Sequence, residues 1–208
     1  MVTQMTQSQS KLLMGVINLT PNSFSDGGQY NQEESCFSRI NDLLSQNVAY
    51  LDCGAESTAP FNDACSLKEE CGRFEEILFP ALIKLSKGPF NRAFLETGTL
   101  SIDTYRPESF CFVASFVRSM WPNIKLLWND VSGFLDDQVP YILRSFPNSE
   151  YVYCHNLAPN RSETQNHKTY SYNSSYEEDS FLSHLHNYFK QGLEFFDKEG
   201  LSKRVKCK

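Results

Sequence analysis

Three features that would restrict the function are missing from this sequence of 208 residues. Basic residues are not in excess, because 19 Lys and Arg stand against 25 Asp and Glu and give a formal net charge of -6. A surface that attracts nucleic acid or an anionic membrane is therefore not expected. No apolar run approaches the roughly 20 residues of a membrane-spanning helix. Residues 1–10 also lack the basic cluster and long apolar core of a signal peptide, so we predict a cytoplasmic protein.

Paired cysteine motifs are missing as well. The seven cysteines are scattered and include no Cys-x-x-Cys pair, which predicts reduced thiols rather than disulfides. A zinc site made by Cys65, Cys71 and His155 is an alternative, but the spacing does not match the usual zinc-ligand patterns. We favour the interpretation that the cysteines are small buried apolar residues.

What the sequence does contain is a strict alternation of strand and helix patterns. Residues 1–10 predict a disordered tail, and residues 11–208 predict one domain. Strands are predicted at Leu12–Ile17, Val48–Cys53, Thr99–Asp103, Ile124–Trp128 and Tyr151–Cys154. Helices are predicted at Glu33–Gln46, Pro107–Met120, Asp136–Phe146 and Tyr176–Glu199. A further helix is predicted to begin at the capping box of Ser66 and Glu69 and to end at Gly88. The final "SKRVKCK" can begin a sixth strand.

This alternation is typical of an α/β fold with parallel strands. Periodicity alone does not choose between a β/α barrel and a doubly wound sheet. Both architectures place their ligand sites at the carboxyl ends of the strands, so the residues that follow each strand are the ones to inspect.

Short polar residues follow four successive strands. Asn18 opens a polar loop that runs to Gly28, and "LDCGAEST", "SIDT" and "WNDVSG" end the next three strands. Any one of these residues is more simply read as a helix cap or an Asx-turn, but four in a row predict a pocket. Asn and Asp suit a neutral heterocycle rich in N–H donors, because a carboxylate accepts two parallel N–H bonds and an amide both donates and accepts.

The segment "MGVINLTPNSFSDGG" resembles the first signature of the dihydropteroate synthase family, and "LDCGAESTAP" resembles the second, usually DIGGESTRP. "SIDT" and "NDVSG" follow in the expected order, and "YVYCHN" is similar to the fifth-strand segment. The resemblance implies a TIM-type (β/α)8 barrel in the folate biosynthesis pathway. It also implies two small-molecule substrates, para-aminobenzoate and 6-hydroxymethyl-7,8-dihydropterin pyrophosphate, which are joined with the help of Mg2+ as pyrophosphate leaves.

The resemblance assigns residues on the pyrophosphate and aminobenzoate sides of the site. Asn18 matches a residue that helps to hold Mg2+ and pyrophosphate, and we predict it as a metal ligand and a catalytic residue. Phe24 in the first loop and Thr58 and Pro60 in the second match residues that flank the aminobenzoate. Thr58 is also predicted to be catalytic.

On the pterin side, the resemblance assigns Asp103 and Asn129 as the residues that read the heterocycle. His155 matches a family histidine on the fifth strand. For this histidine we favour a buried structural role.

Two departures from the family pattern predict reduced activity. Ala59 stands where the second signature has Arg, which removes a bidentate anion contact worth about 1.5–3 kcal/mol. Arg106 is too far along the chain to be assumed as its replacement. The later family segments, DPGxGFGK and Arg-x-His among them, are not found in this sequence.

We therefore expect an incomplete barrel of about five to six β/α units, whose apolar first strand has an exposed edge. The alternatives are a shortened chain, completion by a second chain or a homodimer, and a catalytically impaired pterin-binding homologue. Weak or no activity is expected from residues 1–208 alone.

Overall fold

The computed structural model describes residues 12–20, 32–56, 64–88, 92–156, 161, 164 and 178–207. Within them, one sheet of six parallel strands is joined by helices. The strands are β1 (Met14–Asn18), β2 (Tyr50–Gly54), β3 (Thr99–Asp103), β4 (Lys125–Asp130), β5 (Ser149–Tyr153) and β6 (Val205–Cys207). The helices are α1 (Gln32–Ser45), α2 (Leu67–Arg73), α3 (Phe79–Ser86), α4 (Arg92–Thr97), α5 (Pro107–Met120), α6 (Gln138–Ser145) and α7 (Glu178–Lys198).

The order of the strands decides between the two architectures that periodicity left open. The strands lie side by side in sequence order from β1 to β6, and every neighbouring pair is parallel. A doubly wound sheet reverses its strand order near the middle, whereas a β/α barrel adds each strand next to the last. The prediction of a TIM-type barrel that is incomplete, with about five to six β/α units, is confirmed, since six strands are present in the described residues.

The edge of β1 is exposed, as expected for a barrel that does not close within the described residues. Leu12, Leu13 and Val16 keep 66%, 57% and 50% of their surface exposed. Among the residues that the structure describes, no helix is both long and apolar enough to cross a membrane.

The predicted capping box at the start of α2 is confirmed. Ser66 Oγ accepts from Glu69 N at 3.2 Å, and Glu69 Oε2 accepts from Ser66 N at 2.8 Å. The helix predicted from Ser66 to Gly88 is interrupted by a π-helical stretch, Phe74–Leu78, which separates α2 from α3. The short helix α4 was not predicted.

The core lies between the sheet and the helices. Alternate strand residues face the helices, and the largest of them, Trp128, stacks on Phe110 of α5 with ring centroids 5.1 Å apart. None of the seven cysteines, all of which lie in the described residues, forms a disulfide. Cys36 and Cys53 are buried, and burial raises the pKa of Cys36 to about 12. The interpretation of the cysteines as small buried apolar residues is therefore confirmed for these two, but it is wrong for Cys207, which is exposed, and the other four are half-buried.

Candidate active site

Three of the predicted site residues lie in one row across the sheet. Asn18 is opposite Gly54, Gly54 is opposite Asp103, and Asp103 is opposite Asn129. Paired residues of parallel strands share a face, and successive residues of a strand face opposite sides. Trp128, which precedes Asn129, stacks on Phe110 of α5, so the row lies on the face away from the helices, which we call the open face. The row stands at the carboxyl ends of β1, β2, β3 and β4. The structure thus brings Asn18, Asp103 and Asn129 to the same edge of one face.

Gly54 leaves the space that the row needs. A Cβ atom at this position would lie 3.3 Å from Asp103 Oδ2, which is tighter than an ordinary contact. The missing side chain therefore lets the Asp103 carboxylate lie close to the backbone of β2.

Asp52 also belongs to this candidate site, although it is not among the residues predicted from the sequence. It lies on the open face, two residues before Gly54, and is only 6% exposed. Ser101 Oγ donates to Asp52 Oδ1 at 2.5 Å, and Asn129 Nδ2 lies 3.3 Å from both carboxylate oxygens. Its partners within the described ranges are thus a hydroxyl and an amide, not a cation. The sequence does indicate this position, because Asp52 and Gly54 are two residues apart in "LDCG" and therefore share a face of the strand. The prediction considered only the residues at the end of the strand.

Asp52 fixes which way the Asn129 amide points. A carboxylate only accepts hydrogen bonds, so the NH2 group of Asn129 must face Asp52. Asn129 Oδ1 then points away from Asp52, and this atom is buried with no hydrogen-bond partner among the described residues. A buried acceptor of this kind is costly unless a donor reaches it, so the open face presents an acceptor ready for a ligand N–H group.

The second predicted loop is held at both ends by Arg106. Arg106 pairs with Glu56 and donates to Cys65 O at 2.7 Å, while Cys65 N donates to Glu56 Oε1 at 3.2 Å. The two ends of segment 57–63 are thereby tied together. Arg106 also pairs with Glu70 Oε2 at 2.7 Å. Because Arg106 is paired with two buried carboxylates, it is not available to take the role of the arginine that Ala59 replaces.

Phe24, Thr58 and Pro60, three of the predicted site residues, lie outside the described residues, and so does Ala59. Their predicted roles stay predictions. The anchoring of Glu56 and Cys65 by Arg106 describes only where the second loop leaves and rejoins the rest of the chain.

A second buried aspartate lies on the helix-covered face. Asp130 accepts from Tyr151 OH at 2.8 Å and from Ser132 N at 2.8 Å, and it pairs with Arg161. Burial raises the pKa of Asp130, and the Arg161 charge and the Ser132 hydrogen bonds oppose that rise. This carboxylate is enclosed by protein partners and does not face the row of Asn18, Asp103 and Asn129.

The described part of the chain contains no group of three or more His, Cys, Asp or Glu side chains that could hold a metal ion. The alternative zinc site of Cys65, Cys71 and His155 is therefore not formed. Asn18 is exposed at the end of β1 and can offer one amide oxygen. Mg2+ is often bound through one or two protein oxygens, with water and substrate phosphates completing its shell. The residues present thus fit an ion that arrives with a pyrophosphate and do not fit a closed protein cage.

Comparison with protein families gives a match over most of the chain. The model described as "Pterin binding enzyme" matches residues 14–204. A folate synthesis bifunctional protein of Arabidopsis thaliana is 33% identical over 146 residues, which cover 65% of this chain and 27% of that protein. A dihydropteroate synthase of Staphylococcus haemolyticus is 29% identical over 148 residues, 69% of this chain and 47% of that protein. The chain thus spans less than half the length of these curated relatives.

Solved structures agree on the fold. Burkholderia cenocepacia dihydropteroate synthase complexed with 7,8-dihydropteroate superposes with a TM-score of 0.66 at 20% identity, covering 96% of this chain and 58% of that one. A Clostridium difficile dihydropteroate synthase, crystallised in the presence of pteroic acid, gives a TM-score of 0.64 at 22% identity, covering 98% and 65%.

Proposed function

The chain belongs to the pterin binding enzyme family, and we propose that it acts as a dihydropteroate synthase in folate biosynthesis. In this proposal it condenses 6-hydroxymethyl-7,8-dihydropterin pyrophosphate with para-aminobenzoate to give dihydropteroate. The observation that carries the proposal is the Asp52–Asn129 pair, which leaves a buried, oriented acceptor on the open face beside Asp103.

A pterin matches the hydrogen-bonding groups of this face. Its amino-pyrimidinone edge presents several N–H donors side by side, and these need carboxylate and amide oxygens as acceptors. Asp103 supplies a carboxylate and Asn129 Oδ1 supplies an amide oxygen in the adjacent strand, at paired positions of the register. A charge-assisted bond to Asp103 is about twice as strong as a neutral one, so we assign Asp103 as the main pterin anchor and Asn129 as its neighbour.

The reaction proposed at this site is a displacement at the pterin methylene carbon. The bond from this carbon to the pyrophosphate oxygen breaks, and its electron pair leaves with pyrophosphate. The amine nitrogen of para-aminobenzoate forms the new C–N bond and loses a proton. Positive charge develops on the methylene and the pterin ring as the anion leaves, and buried carboxylates on the open face stabilise such charge electrostatically. Holding both substrates in line supplies much of the remaining acceleration.

We propose that Asn18 meets the pyrophosphate and its Mg2+, which when bound neutralises the leaving group. Phe24, Thr58 and Pro60 are proposed to flank the aminobenzoate from the two loops. Loss of the usual arginine at Ala59 is expected to weaken the contact with pyrophosphate. A cytoplasmic location, and assembly into a homodimer or with a complementing chain, stay predictions from the sequence.

Calorimetry with 6-hydroxymethyl-7,8-dihydropterin tests the pterin half of the proposal on the purified chain. We expect saturable binding of one pterin. Substitution of Asn129 by Leu should weaken it by about 10- to 100-fold, because a buried donor of the ligand would lose its partner at a cost of about 1–3 kcal/mol. Asn148, an exposed residue that bonds Pro122 O, provides the matched control: Asn148→Leu should bind as the wild type does.

Turnover is tested separately with both substrates and Mg2+, by measuring dihydropteroate. Formation of product supports the whole proposal. Pterin binding without product would overturn the condensation for this chain and leave pterin recognition standing. Absence of pterin binding by a folded chain would overturn both.

A further inference from the structure

Two histidines from distant parts of the chain meet beside the carboxyl end of β5. His155 follows β5 and His184 lies in α7, and their Nε2 atoms are 3.4 Å apart. Both side chains are half-buried. Their surroundings are the rings of α7 that cover the sheet, with the Tyr188 ring 4.7 Å from that of His155. The pair therefore belongs to the helix-covered face, away from the open face on which the proposed function depends.

The separation of the two nitrogens matches a metal-binding distance. Two imidazole nitrogens that bind a tetrahedral zinc ion, each at about 2.0–2.1 Å, lie about 3.4 Å from each other. The centroids of the two rings are 5.5 Å apart, so the rings stand farther apart than their Nε2 atoms. Both rings thus direct Nε2 into the space between them, where a shared ion would sit.

Tyr188 holds both histidines in place. It lies one helical turn after His184, and its hydroxyl, which carries one proton to donate, lies within hydrogen-bond distance of both Gly133 O at 2.6 Å and Cys154 O at 2.9 Å. Cys154 directly precedes His155, so one side chain ties α7 to the backbone that carries the other histidine. Gly133 has a positive φ of 67°, and a Cβ atom there would lie 2.4 Å from the Tyr188 oxygen. The close approach therefore needs glycine, and the pair is organised before any ion binds.

We propose that His155 and His184 form a two-histidine site for a divalent transition-metal ion of the zinc type. Within the described residues no group of three or more His, Cys, Asp or Glu forms around them, and the proposal takes water as the remaining ligands. Imidazole ligands favour Zn2+, Cu2+ and Ni2+ over Mg2+, which separates this site from the Mg2+ chemistry proposed for Asn18. The bound ion links α7 to the end of β5. Because the ion binds the folded chain and not the unfolded one, it raises the free energy of unfolding.

Calorimetry and thermal unfolding with Zn2+ alone test the proposal, in a buffer that does not chelate metal. The wild-type chain should bind one more equivalent of zinc than His184→Gln, and zinc should raise its unfolding temperature. Loss of one of two ligands should weaken binding by at least about tenfold, since even losing an outer-shell partner of a metal ligand costs about 10- to 100-fold. His186→Gln is the matched control, because His186 is an exposed histidine of the same helix; it should keep the wild-type stoichiometry and shift.

A second pair of variants keeps the test decisive if a single change disturbs folding. His155→Gln should lose the same equivalent of zinc as His184→Gln, and His184→Cys should retain it, because a thiolate is also a zinc ligand. Circular dichroism checks that each variant is folded. Equal zinc uptake and equal thermal shifts in the wild type and in folded His184→Gln would overturn the proposal, since other groups such as the cysteines would then account for all binding.

Discussion

Two buried aspartates, Asp52 in β2 and Asp130 in β4, lie on opposite faces of the same sheet and have different kinds of hydrogen-bond partner. Their exposed fractions are 6% and 0%, so burial does not distinguish them. Asp130 is paired with Arg161 and also bonded by Tyr151 OH. Asp52 has only the Ser101 hydroxyl and the Asn129 amide as partners in the described part of the chain.

The difference lies in the partners that the protein supplies to each carboxylate. On the helix-covered face the protein supplies the counter-charge, as it also does where Arg106 meets Glu70. On the open face it supplies neutral donors to Asp52 and leaves Asn129 Oδ1 without a partner among the described residues. An unpaired buried charge or acceptor is costly, and a fold that keeps one at the carboxyl ends of parallel strands indicates that a ligand completes the arrangement.

The largest effect is expected from removing the charge partner of Asp130. Arg161→Met should lower the free energy of unfolding by about 3–5 kcal/mol, because it leaves a buried carboxylate uncompensated. Urea-induced unfolding measures this loss. The double variant Asp130→Asn with Arg161→Met should recover much of it, since the amide carries no charge, its oxygen can accept from Ser132 N and its NH2 group can donate to the Tyr151 hydroxyl oxygen. A loss below about 1 kcal/mol for Arg161→Met, typical of an exposed pair, would show that Asp130 does not depend on Arg161.

A smaller effect is expected from Asp52→Asn, and it should fall on ligand binding more than on folding. The new amide can donate to Asn129, which lets the Asn129 side chain turn and present NH2 where it had presented Oδ1. A pterin N–H would then meet a donor, and affinity should fall by about 10- to 100-fold, the equivalent of about 1–3 kcal/mol for an unsatisfied buried group. Calorimetry with 6-hydroxymethyl-7,8-dihydropterin measures the change.

Asp130→Asn is the matched control for that substitution. It makes the same chemical change one residue beyond Asn129 but on the other face, and pterin affinity should stay within about twofold of the wild type. If Asp52→Asn binds pterin as tightly as the wild type, Asp52 does not orient Asn129 for the ligand. If both variants lose affinity equally, the two faces are coupled and the comparison fails.

Local sequence patterns predicted the parts of this molecule that depend on local chemistry. The alternation of strands and helices, the capping box of Ser66 and Glu69, and the placement of Asp103 and Asn129 at strand ends all follow from residues close together in the chain. The family resemblance predicted the barrel architecture, which periodicity could not separate from a doubly wound sheet. Phe24, Thr58 and Pro60 lie outside the described residues and stay predictions.

The partners of the buried charges could not be predicted in this way. Ser101 meets Asp52 across 49 residues of sequence, and Asn129 meets it across 77. Both contacts depend on the register of β2, β3 and β4, which no local pattern specifies. Arg161 stands in a long polar segment of the sequence, where nothing marks it as the partner of Asp130. The sequence therefore shows that residue 52 is an aspartate, but it does not show that this aspartate contacts Asn129.

The smallest predicted effect extends the comparison to an exposed carboxylate, Glu69 of the capping box. Its bonds from the Ser66 backbone N–H and hydroxyl lower the pKa of Glu69 below its usual value. A carboxylate with a lowered pKa in the folded state adds stability above its unfolded pKa of about 4.3, and this contribution is lost as the pH falls through the folded pKa. The wild type should therefore lose stability between about pH 5 and pH 3 that Glu69→Gln does not lose.

The matched control for this last prediction is Glu75→Gln, an exposed carboxylate in the π-helical stretch that continues α2. It should follow the wild-type pH dependence, because Glu75 takes no part in the capping box. Urea midpoints at the two pH values compare the three proteins. Identical acid dependence of the wild type and Glu69→Gln would mean that the capping carboxylate carries no measurable linkage. A small difference in stability is expected, because a hydrogen-bonded carboxylate in water, such as Glu69, contributes little to the free energy of unfolding. A buried carboxylate such as Asp130 has a much larger effect when its partner is removed.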